Sequence, residues 1–527
     1  MRLLVFLWLT SLSLATIAEF DEGIRARIES SAQNQMMVAG AMVQALPSLR
    51  RFYEMRAFQP AWTAADGSFN GAGLALLDEI LRSHDEGLNP HDYHLPSLLA
   101  LQQQPTSPGV QVDTDLLFSD AWLVLASHYL GGRVDPVTID AEWVPSRRTG
   151  ELPALLERAL REQRIVDQLQ QLLPQYPGYA HLRNLLADLR KAVQQAPSPI
   201  PRGNLLKPGM RDARVPALRA RLGVEGESDD FDETLVLAVK LFQQKHGLEA
   251  DGIIGDATLR QLNAGPAERI DQVLANMERW RWMPAELGER HVNVNIAGFR
   301  LEMWDKGDLQ HAMKVIVGRP YRRTPLFSDR IRYLVFNPAW NVPRRLAVQD
   351  KLPQLRKDAA SLQRAGFVLL RGHGSEEIEI DPRSVDWQAV SARNFDYRLR
   401  QKPGPDNALG RVKIMFPNRF DVYLHDTSNP ELFAKGVRSF SSGCIRLEQP
   451  SLLVNWLLVD DPAWNEHKIA AAMAGSTTET VVLKQPVPVH LQYWTVWVDD
   501  QGQAHFLDDI YQRDPPLAAA LQAGVRQ

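Results

Sequence analysis

One thiol in this sequence stands in surroundings that suit nucleophilic chemistry. Cys444 is the only cysteine among 527 residues, so it cannot form an internal disulfide and is either a nucleophile or a small buried hydrophobe. Its neighbours favour the nucleophile, because Ser442 and Gly443 let the backbone turn tightly beside the thiol. Peptide N–H groups near Gly443 can then approach a substrate and hold a developing oxyanion. The complete run is Ser439-Phe440-Ser441-Ser442-Gly443-Cys444-Ile445-Arg446-Leu447.

A histidine is placed to act as the base for this thiol. His425 precedes Cys444 by 19 residues, and this spacing suits two adjacent strands joined by a loop. Tyr423 shares a strand face with His425, where it either orients the imidazole, lines the site or belongs to the core. Asp426 faces the other way on a regular strand, so we do not expect it to be a third catalytic residue. A backbone carbonyl is the alternative group to orient the ring.

Arg446 follows the thiol by two residues and adds positive charge beside it. That charge favours the thiolate, which is the reactive form of cysteine. The guanidinium group either binds a carboxylate of the substrate or braces the loop through a buried ion pair, and we favour bracing.

The N-terminal part of the sequence reads as helical. Residues 19–196 carry apolar residues at helical spacing, most clearly over 74–81 and 116–130. A proline- and glycine-rich stretch at 197–203 then indicates a linker. Nothing catalytic is visible before this linker.

The part of the chain that contains Cys444 reads mainly as strands. Apolar and polar residues alternate from about 270 to 460, for example over 292–296 and 313–318. The alternation is interrupted between 351 and about 400 by a helical and mixed composition. Because strand-like segments resume at Arg411, we interpret this stretch as an insertion that can cap the active site.

These motifs resemble those of a known enzyme family. The order S-x-G-C-[IV]-R after an H-[DG]-T segment is similar to the active-site signature of the L,D-transpeptidases, whose catalytic domain is of the YkuD type. The segment 206–258, which ends in His246-Gly247-Leu248 and Asp251-Gly252, resembles the peptidoglycan-binding type 1 domain. Further runs similar to landmarks of the transpeptidases lie at 318–325, 337–343 and 401–413.

The resemblance implies a multidomain α+β protein similar to the large periplasmic members of that family. Its binding module has a three-helix fold and either binds glycan or serves only as a scaffold. We expect the following organisation: a signal peptide over 1–18, a helical scaffold over 19–196, a linker over 197–203, a peptidoglycan-binding module over 204–265, a mostly-β catalytic domain over 266–484 with a capping insertion at about 345–400, and a strand-rich tail over 485–527.

The resemblance also implies the reaction. Cys444 attacks the carbonyl of meso-diaminopimelate at position three of a tetrapeptide stem, His425 takes the thiol proton, and D-Ala leaves. Backbone N–H groups near Gly443 and Cys444 hold the oxyanion, and the candidate residues for the oxyanion site or for positioning the substrate are Gly443, Ser442, Tyr423 and Arg446. The amine of a second stem resolves the thioester and forms a 3→3 cross-link. Peptidoglycan stem peptides as donor and acceptor are the implied partners, with carbapenem-type inhibitors and cell-wall synthases as further ones, and no metal or organic cofactor is implied.

The N-terminus predicts export. Arg2, an apolar run over 3–9 and the small residues before Ala18 are typical of a secretory signal cleaved near Ala18. The run is shorter than the ~20 residues that a spanning helix needs, so a retained signal anchor is only the alternative. We therefore expect a periplasmic protein. A net charge of −4 gives no sign of a nucleic-acid partner.

Three other classes of protein compete with this interpretation. An L,D-carboxypeptidase or L,D-endopeptidase would form the same acyl-enzyme and admit water as the acceptor. A non-catalytic cell-wall scaffold would not need the intact set of Cys444, His425, Gly443 and Arg446. A serine peptidase of the penicillin-binding type is excluded, because no serine in the sequence has a lysine three residues later.

Overall fold

The computed structural model describes residues 20–31, 35–64, 66–144, 147–195, 198–372, 374–499 and 501–523. These residues fall into two compact units, each built from separate stretches of chain. The first unit contains the described residues up to 204, residues 259–286 and the described residues from 495 onward, and the second contains 205–258 and 287–494. The signal peptide expected over 1–18 lies outside the described residues.

The first unit is helical, as the sequence predicts for its N-terminal part. Its longest helix, Pro108–Gly131, is largely buried and carries Asp115 in its interior. The Asp115 carboxylate accepts the backbone N–H groups of Ala61 and Trp62, which compensates for its burial. No helix in the described part of the chain is long and apolar enough to cross a membrane. Residues 20–29 are helical, and further α-helices in the described part of this region include Leu46–Met55, Gly71–Arg82, Leu95–Gln102, Pro136–Ile139, Leu152–Arg161, Ile165–Gln170 and Pro177–Ala192.

The C-terminal residues belong to this helical unit. Helix Pro266–Arg281 packs against both Pro177–Ala192 and the C-terminal helix Asp514–Gln522. Arg279 and Asp514 form a buried ion pair of 2.6 Å across the second of these contacts. Strands Val496–Val498 and Ala504–Phe506 pair with each other in the same unit. The expected catalytic domain over 266–484 and the strand-rich tail therefore do not coincide with the structural units.

The small module in the second unit folds around a buried glutamine. Gln243 donates through Nε2 to the Ile253 carbonyl at 2.9 Å and accepts the Gly252 N–H at 2.8 Å. Gly252 has a φ of 78°, which a glycine adopts without strain, so the turn expected at Asp251-Gly252 is present. Helices Val215–Leu222 and Glu233–Lys245 pack together in this module, and helix Asp256–Asn263 follows the turn.

The rest of the second unit is built on a twisted sheet of nine strands within the described residues. The strands are β1 Arg290–Asn295, β2 Arg300–Asp305, β3 Asp308–Gly318, β4 Phe327–Phe336, β5 Val412–Met415, β6 Leu424–His425, β7 Ser439–Ser441, β8 Ile445–Leu447 and β9 Glu479–Gln492. Their order is β7-β3-β8-β6-β5-β4-β9-β1-β2, and β2 also pairs with β3, so the pairing closes on itself. Strand β9 crosses the boundary expected at 484/485. Helices Pro450–Leu458 and Glu466–Ala474 lie between β8 and β9 in the chain.

The insertion between β4 and β5 forms a subdomain with its own core. Leu355, Phe367 and Trp387 are among the residues of this buried cluster. Besides its short helices, including Leu352–Lys357 and Ser361–Arg364, the described part contains a four-stranded antiparallel sheet, which the sequence analysis did not predict. Its strands are Trp340–Asn341, Phe367–Arg371, Ile378–Ile380 and Arg398–Gln401.

Candidate functional site

The register of two neighbouring strands brings the predicted histidine and cysteine to one face of the sheet. Strands β6 and β8 are parallel and adjacent, with Leu424 opposite Ile445 and His425 opposite Arg446. Leu424 and Ile445 point into the core and are fully buried. Since side chains alternate along a strand, His425 and Arg446 point the other way. Cys444 immediately precedes β8, and the N–H of Ile445 donates to the carbonyl of Tyr423 at 3.1 Å.

One cavity of about 430 Å³ is lined by Tyr423, His425, Ser442, Cys444 and Arg446. It is formed partly by the sheet and its loops, including Tyr423, His425 and Cys444. The insertion supplies another wall through Trp340, Pro343, Arg345, Leu346, Asp350 and Lys351. The insertion thus lies directly beside the thiol, where the sequence analysis expected a cap.

The loop that carries the thiol is held by a set of short polar contacts. Gly443 has a φ of 121°, and its carbonyl accepts a hydrogen bond from the Thr324 hydroxyl at 2.9 Å. The Ser441 hydroxyl donates to the Cys444 carbonyl at 2.5 Å and accepts the Gly443 N–H at 3.1 Å. Within the described residues, the N–H groups of Ser442 and Cys444 make no hydrogen bond. The sequence analysis considered the N–H groups of Gly443 and Cys444 for the oxyanion. The Gly443 N–H already donates to the Ser441 hydroxyl, whereas the Cys444 N–H has no acceptor among the described residues.

His425 is oriented as a base by a backbone carbonyl. Its Nδ1 lies 2.5 Å from the carbonyl oxygen of Asp426, which can only accept, so Nδ1 carries the proton and Nε2 carries the lone pair. The Asp426 carboxylate instead accepts the N–H groups of Arg411 and Thr427 at 2.8 and 2.7 Å. The expectation that a carbonyl, and not the Asp426 side chain, orients the imidazole is confirmed.

Electrostatics keep both reacting groups uncharged in the resting site. Burial lowers the pKa of His425 to about 3, and the charges of Arg446 and Lys413 act in the same direction. Burial raises the pKa of the Cys444 thiol, against the opposing effects of Tyr423, Lys413 and Arg446. The thiol donates to the Asp421 carbonyl at 3.8 Å, and within the described residues no hydrogen bond joins it to His425. A neutral thiol beside a neutral imidazole is the resting state.

Tyr423 and Lys413 both neighbour His425. The rings of Tyr423 and His425 meet edge to face with centroids 5.7 Å apart. Lys413 on β5 lies opposite His425 on β6, and its Nζ is 3.8 Å from the centre of the Tyr423 ring. Burial is the main reason that the pKa of Lys413 is lowered. The alternation Val412-Lys413-Ile414 places Lys413 on the outer face, but only the strand register shows that it neighbours His425, and the sequence analysis gave it no role.

An ion pair links the insertion to the loop of the thiol. Arg322 forms two hydrogen bonds with the Asp350 carboxylate, at 2.6 and 2.7 Å, and a third with the Ser442 hydroxyl at 3.1 Å. The hydrogen bonds from Arg322 lower the pKa of the Asp350 carboxyl. The sequence analysis assigned no role to Arg322 or Asp350, because they are 28 residues apart and lie in different parts of the domain. Ser442 thus contacts this bridge through its side chain.

The sequence analysis favoured Arg446 as a brace of the loop through a buried ion pair, but Arg446 forms no ion pair with any described residue. Within the described residues, its guanidinium group has neither a carboxylate partner nor a hydrogen bond, and its Nε is buried without an acceptor. It lines the cavity beside Cys444 together with Arg319.

Comparison with family models assigns three regions of the chain. Residues 289–465 match the L,D-transpeptidase catalytic domain, also named YkuD. Residues 218–262 match a peptidoglycan binding domain, and residues 47–186 match a scaffold domain. The catalytic match spans β1 to β8 and includes the insertion, His425 and Cys444.

Individual proteins resemble parts of the chain. A Haemophilus influenzae protein assigned by its name as an L,D-transpeptidase is 35% identical over 252 residues, which are 48% of this chain and 50% of that protein. The chain therefore spans about half the length of this curated relative.

Solved structures show weaker likeness. An L,D-transpeptidase from Mycobacterium smegmatis is 13% identical with a TM-score of 0.19, covering 39% of this chain and 58% of that one. L,D-transpeptidase 3 from Mycobacterium tuberculosis, in complex with a faropenem-derived adduct, is 13% identical with a TM-score of 0.18, covering 39% of this chain and 60% of that one. Scores this low carry no weight for the fold. The family models and the curated relative agree, however, in assigning residues 289–465 of this chain to an L,D-transpeptidase catalytic domain, in company with a peptidoglycan-binding domain.

Proposed function

We propose that the chain is a peptidoglycan L,D-transpeptidase that forms 3→3 cross-links through a thioester on Cys444. The observation that carries this proposal is the pairing of a lone thiol with a neutral, carbonyl-oriented imidazole on one cavity, inside the domain that matches the family. The substrate is proposed from the family resemblance.

The acylation step follows from the groups that line the cavity. Nε2 of His425 accepts the thiol proton as the sulfur attacks the carbonyl of residue three of the donor stem. The oxyanion binds the N–H of Cys444, and loss of one such donor typically costs about 3–4 kcal/mol. As the tetrahedral intermediate collapses, the C–N bond to D-Ala breaks and the imidazolium returns the proton to the leaving amine. The product is a thioester on Cys444 and free D-Ala.

The second half-reaction uses the same groups in reverse. The side-chain amine of a second stem gives a proton to His425 and attacks the thioester carbonyl. The sulfur leaves as a thiolate and recovers the proton from the imidazolium. The peptidoglycan binding match over 218–262 supports a location on the cell wall, and we propose the periplasm as the compartment and cell-wall synthases as partners.

Mass spectrometry of the purified chain with a disaccharide-tetrapeptide tests this function. We expect an adduct on Cys444 that lacks D-Ala, followed by 3→3 linked dimers, and no adduct on a Cys444→Ala variant. An adduct that yields only free tripeptide would replace the proposal with an L,D-carboxypeptidase. No adduct, with intact binding to isolated cell wall, would replace it with a non-catalytic scaffold.

The role of His425 is tested in the same assay. We expect His425→Ala to slow acylation by about 10²–10⁴-fold, because a positioned general base typically contributes that much. His467→Ala, which changes an exposed histidine outside the cavity, is the matched control and should acylate at the normal rate.

We further propose that carbapenem-type β-lactams acylate Cys444, because the thiolate can open the strained ring and remain bound as a thioester. Incubation should add the mass of one inhibitor to the wild-type chain and none to Cys444→Ala. Equal labelling of both chains would contradict a reaction at this thiol.

A further inference from the structure

Two arginines beside the thiol have no anionic partner among the described residues. Arg322 is neutralised by Asp350 through two hydrogen bonds. In contrast, the guanidinium groups of Arg319 and Arg446 make no hydrogen bond or ion pair with any described residue. Both side chains are only partly exposed, and both line the cavity that holds Cys444.

The chain positions of these arginines bring them to the same side of the nucleophile loop. Arg446 on β8 lies opposite Ile316 on β3, and Arg319 follows the end of β3. The N–H of Arg319 donates to the Ser441 carbonyl at 3.1 Å, which ties its backbone to the loop of the thiol. Arg446 therefore lies on β8 and Arg319 just beyond the end of the adjacent strand β3, next to Cys444.

Their arrangement is unfavourable without an anion. Burial and the charge of Arg319 lower the pKa of Arg446, and Glu431 opposes this without forming an ion pair. The Nε of Arg446 is buried without an acceptor, and a buried donor left unpaired is destabilising. A carboxylate between the two guanidinium groups would remove both penalties at once.

We propose that Arg319 and Arg446 together form a subsite for one carboxylate of the donor stem peptide, and so select donors with a free carboxylate near the bond that Cys444 attacks. This inference rests on the proposed function for the identity of the peptide. The two free carboxylates of the donor that lie nearest to this bond are the candidates: the C-terminal carboxylate of D-Ala and the free carboxylate of diaminopimelate. Selective amidation tells them apart.

The test measures binding without turnover. Calorimetry on the full chain carrying Cys444→Ala would compare a free tetrapeptide stem with two derivatives, one amidated at D-Ala and one at diaminopimelate. We expect one amide to bind about 10-fold more weakly or worse, since charge-assisted hydrogen bonds are worth about 1.5–3 kcal/mol. The derivative that binds more weakly identifies the carboxylate that the two arginines recognise.

Substitutions then assign the binding groups. In the same background, Arg319→Gln or Arg446→Gln should lower the affinity for the free peptide to the affinity measured for that amide. The free peptide and the amide should then bind equally well. Arg446→Lys keeps the charge without the planar guanidinium group and should retain part of the difference in affinity between the free peptide and the amide. This variant shows whether a loss of binding in Arg446→Gln arises from misfolding. Arg419→Gln is the charge-matched control, because Arg419 is exposed and lies outside the cavity lining.

The outcomes separate this inference from the proposed function. Equal binding of the free peptide and both amides, no binding at all, or discrimination that survives both glutamine variants would overturn the subsite. Suppose that Cys444→Ala distinguishes the free peptide from one of its amides, and that the wild-type chain forms no acyl adduct. This result would support the subsite and reject the transpeptidase. An adduct on the wild-type chain with binding indifferent to amidation would support the transpeptidase and reject the subsite.

Discussion

At the scale of single residues, the His425 imidazole and the Cys444 thiol are both uncharged before substrate binds. His425 has a pKa of about 3 and is neutral near pH 7, and burial raises the pKa of the Cys444 thiol. In the proposed mechanism, proton transfer from Cys444 to His425 therefore accompanies attack on a bound substrate. The positive charges of Lys413 and Arg446 favour the thiolate when it forms.

Lys413 is expected to set the reactivity of the thiol. Lys413→Met removes a charge that lowers the pKa of Cys444, so the pKa should rise and alkylation by iodoacetamide at pH 7.5 should slow by about 3–10-fold. The pH profile of alkylation measures the shift directly. Lys413→Arg keeps the charge and should react like the wild type, whereas an unchanged profile in Lys413→Met would show that Lys413 is only a packing residue.

At the scale of elements, the turn between β7 and β8 determines where the thiol and its N–H lie. This turn depends on Gly443, whose φ of 121° is one that residues with a side chain rarely adopt. A Cβ added there would make only an ordinary contact with the Arg323 carbonyl, at 3.4 Å, so the cost of a side chain comes from the backbone conformation.

Gly443→Ala should therefore destabilise the fold and slow acylation. We expect a loss of about 1–3 kcal/mol in the free energy of unfolding from backbone strain. Acylation should fall by up to about 10²-fold, as displacement of an oxyanion donor predicts. Thermal unfolding and the acylation assay give the two values. The control is Gly109→Ala, where φ is not positive and an added Cβ meets nothing within 4 Å, and a Gly443→Ala chain that matched this control in both assays would rule out the strain argument.

The insertion is joined to this turn by the bridge of Arg322, Asp350 and Ser442. Arg322 is 8% exposed and Asp350 is 38% exposed, so solvent screens only one end of the pair. The bridge couples the position of the insertion to the loop that carries the thiol.

Asp350→Asn should loosen the insertion. Loss of about 1 kcal/mol of ion-pair energy corresponds to roughly five-fold faster amide hydrogen exchange in residues that open with the bridge. We expect this acceleration within 340–401, measured by mass spectrometry of the exchanged chain. Asp381→Asn breaks a surface ion pair of the same insertion, Arg383–Asp381 at 2.8 Å, and should affect only nearby amides. Identical exchange patterns in the two variants would mean that the bridge does not hold the insertion.

At the scale of the whole molecule, buried neutral histidines occur in both units. The pKa is lowered to about 3 for His128 and His425 and to about 4 for His490, in each case mainly by burial. All three are neutral in the folded protein at pH values where an unfolded chain, with a histidine pKa near 6.5, binds protons.

The chain should therefore lose stability on mild acidification. Above pH 6.5 these histidines are neutral in both states, and their contribution is complete. Between pH 6.5 and 4 the unfolded state takes up protons that the folded state excludes. Each histidine should therefore lower the free energy of unfolding by up to about 1.4 kcal/mol per pH unit. Denaturant midpoints measured against pH should fall over this window.

His490→Gln isolates one of these contributions. His490 bonds the Ser328 hydroxyl and the Leu287 carbonyl inside the second unit, outside the cavity. The variant should show a shallower fall of its midpoint between pH 6.5 and 4, whatever its stability at pH 7. Exposed His467→Gln should keep the wild-type slope, and equal slopes in all three chains would exclude this origin of acid sensitivity.

The sequence by itself determined the change from helix to strand along the chain and the type of the catalytic domain, and it predicted Cys444 and His425 as the reacting pair. These follow from local patterns: a lone cysteine in a small-residue turn, a histidine at the spacing of an adjacent strand, and side-chain periodicity. The turn at Asp251-Gly252 was predictable for the same reason.

Only the tertiary structure decided what surrounds that pair. The strand register places Lys413 beside His425, and the return of β3 brings Arg319 to Arg446. The joining of residues from 495 onward to the helical unit likewise depends on buried contacts such as Arg279–Asp514. Such contacts link residues far apart in the chain, and their energies depend on how fully each group leaves water, which no local pattern contains.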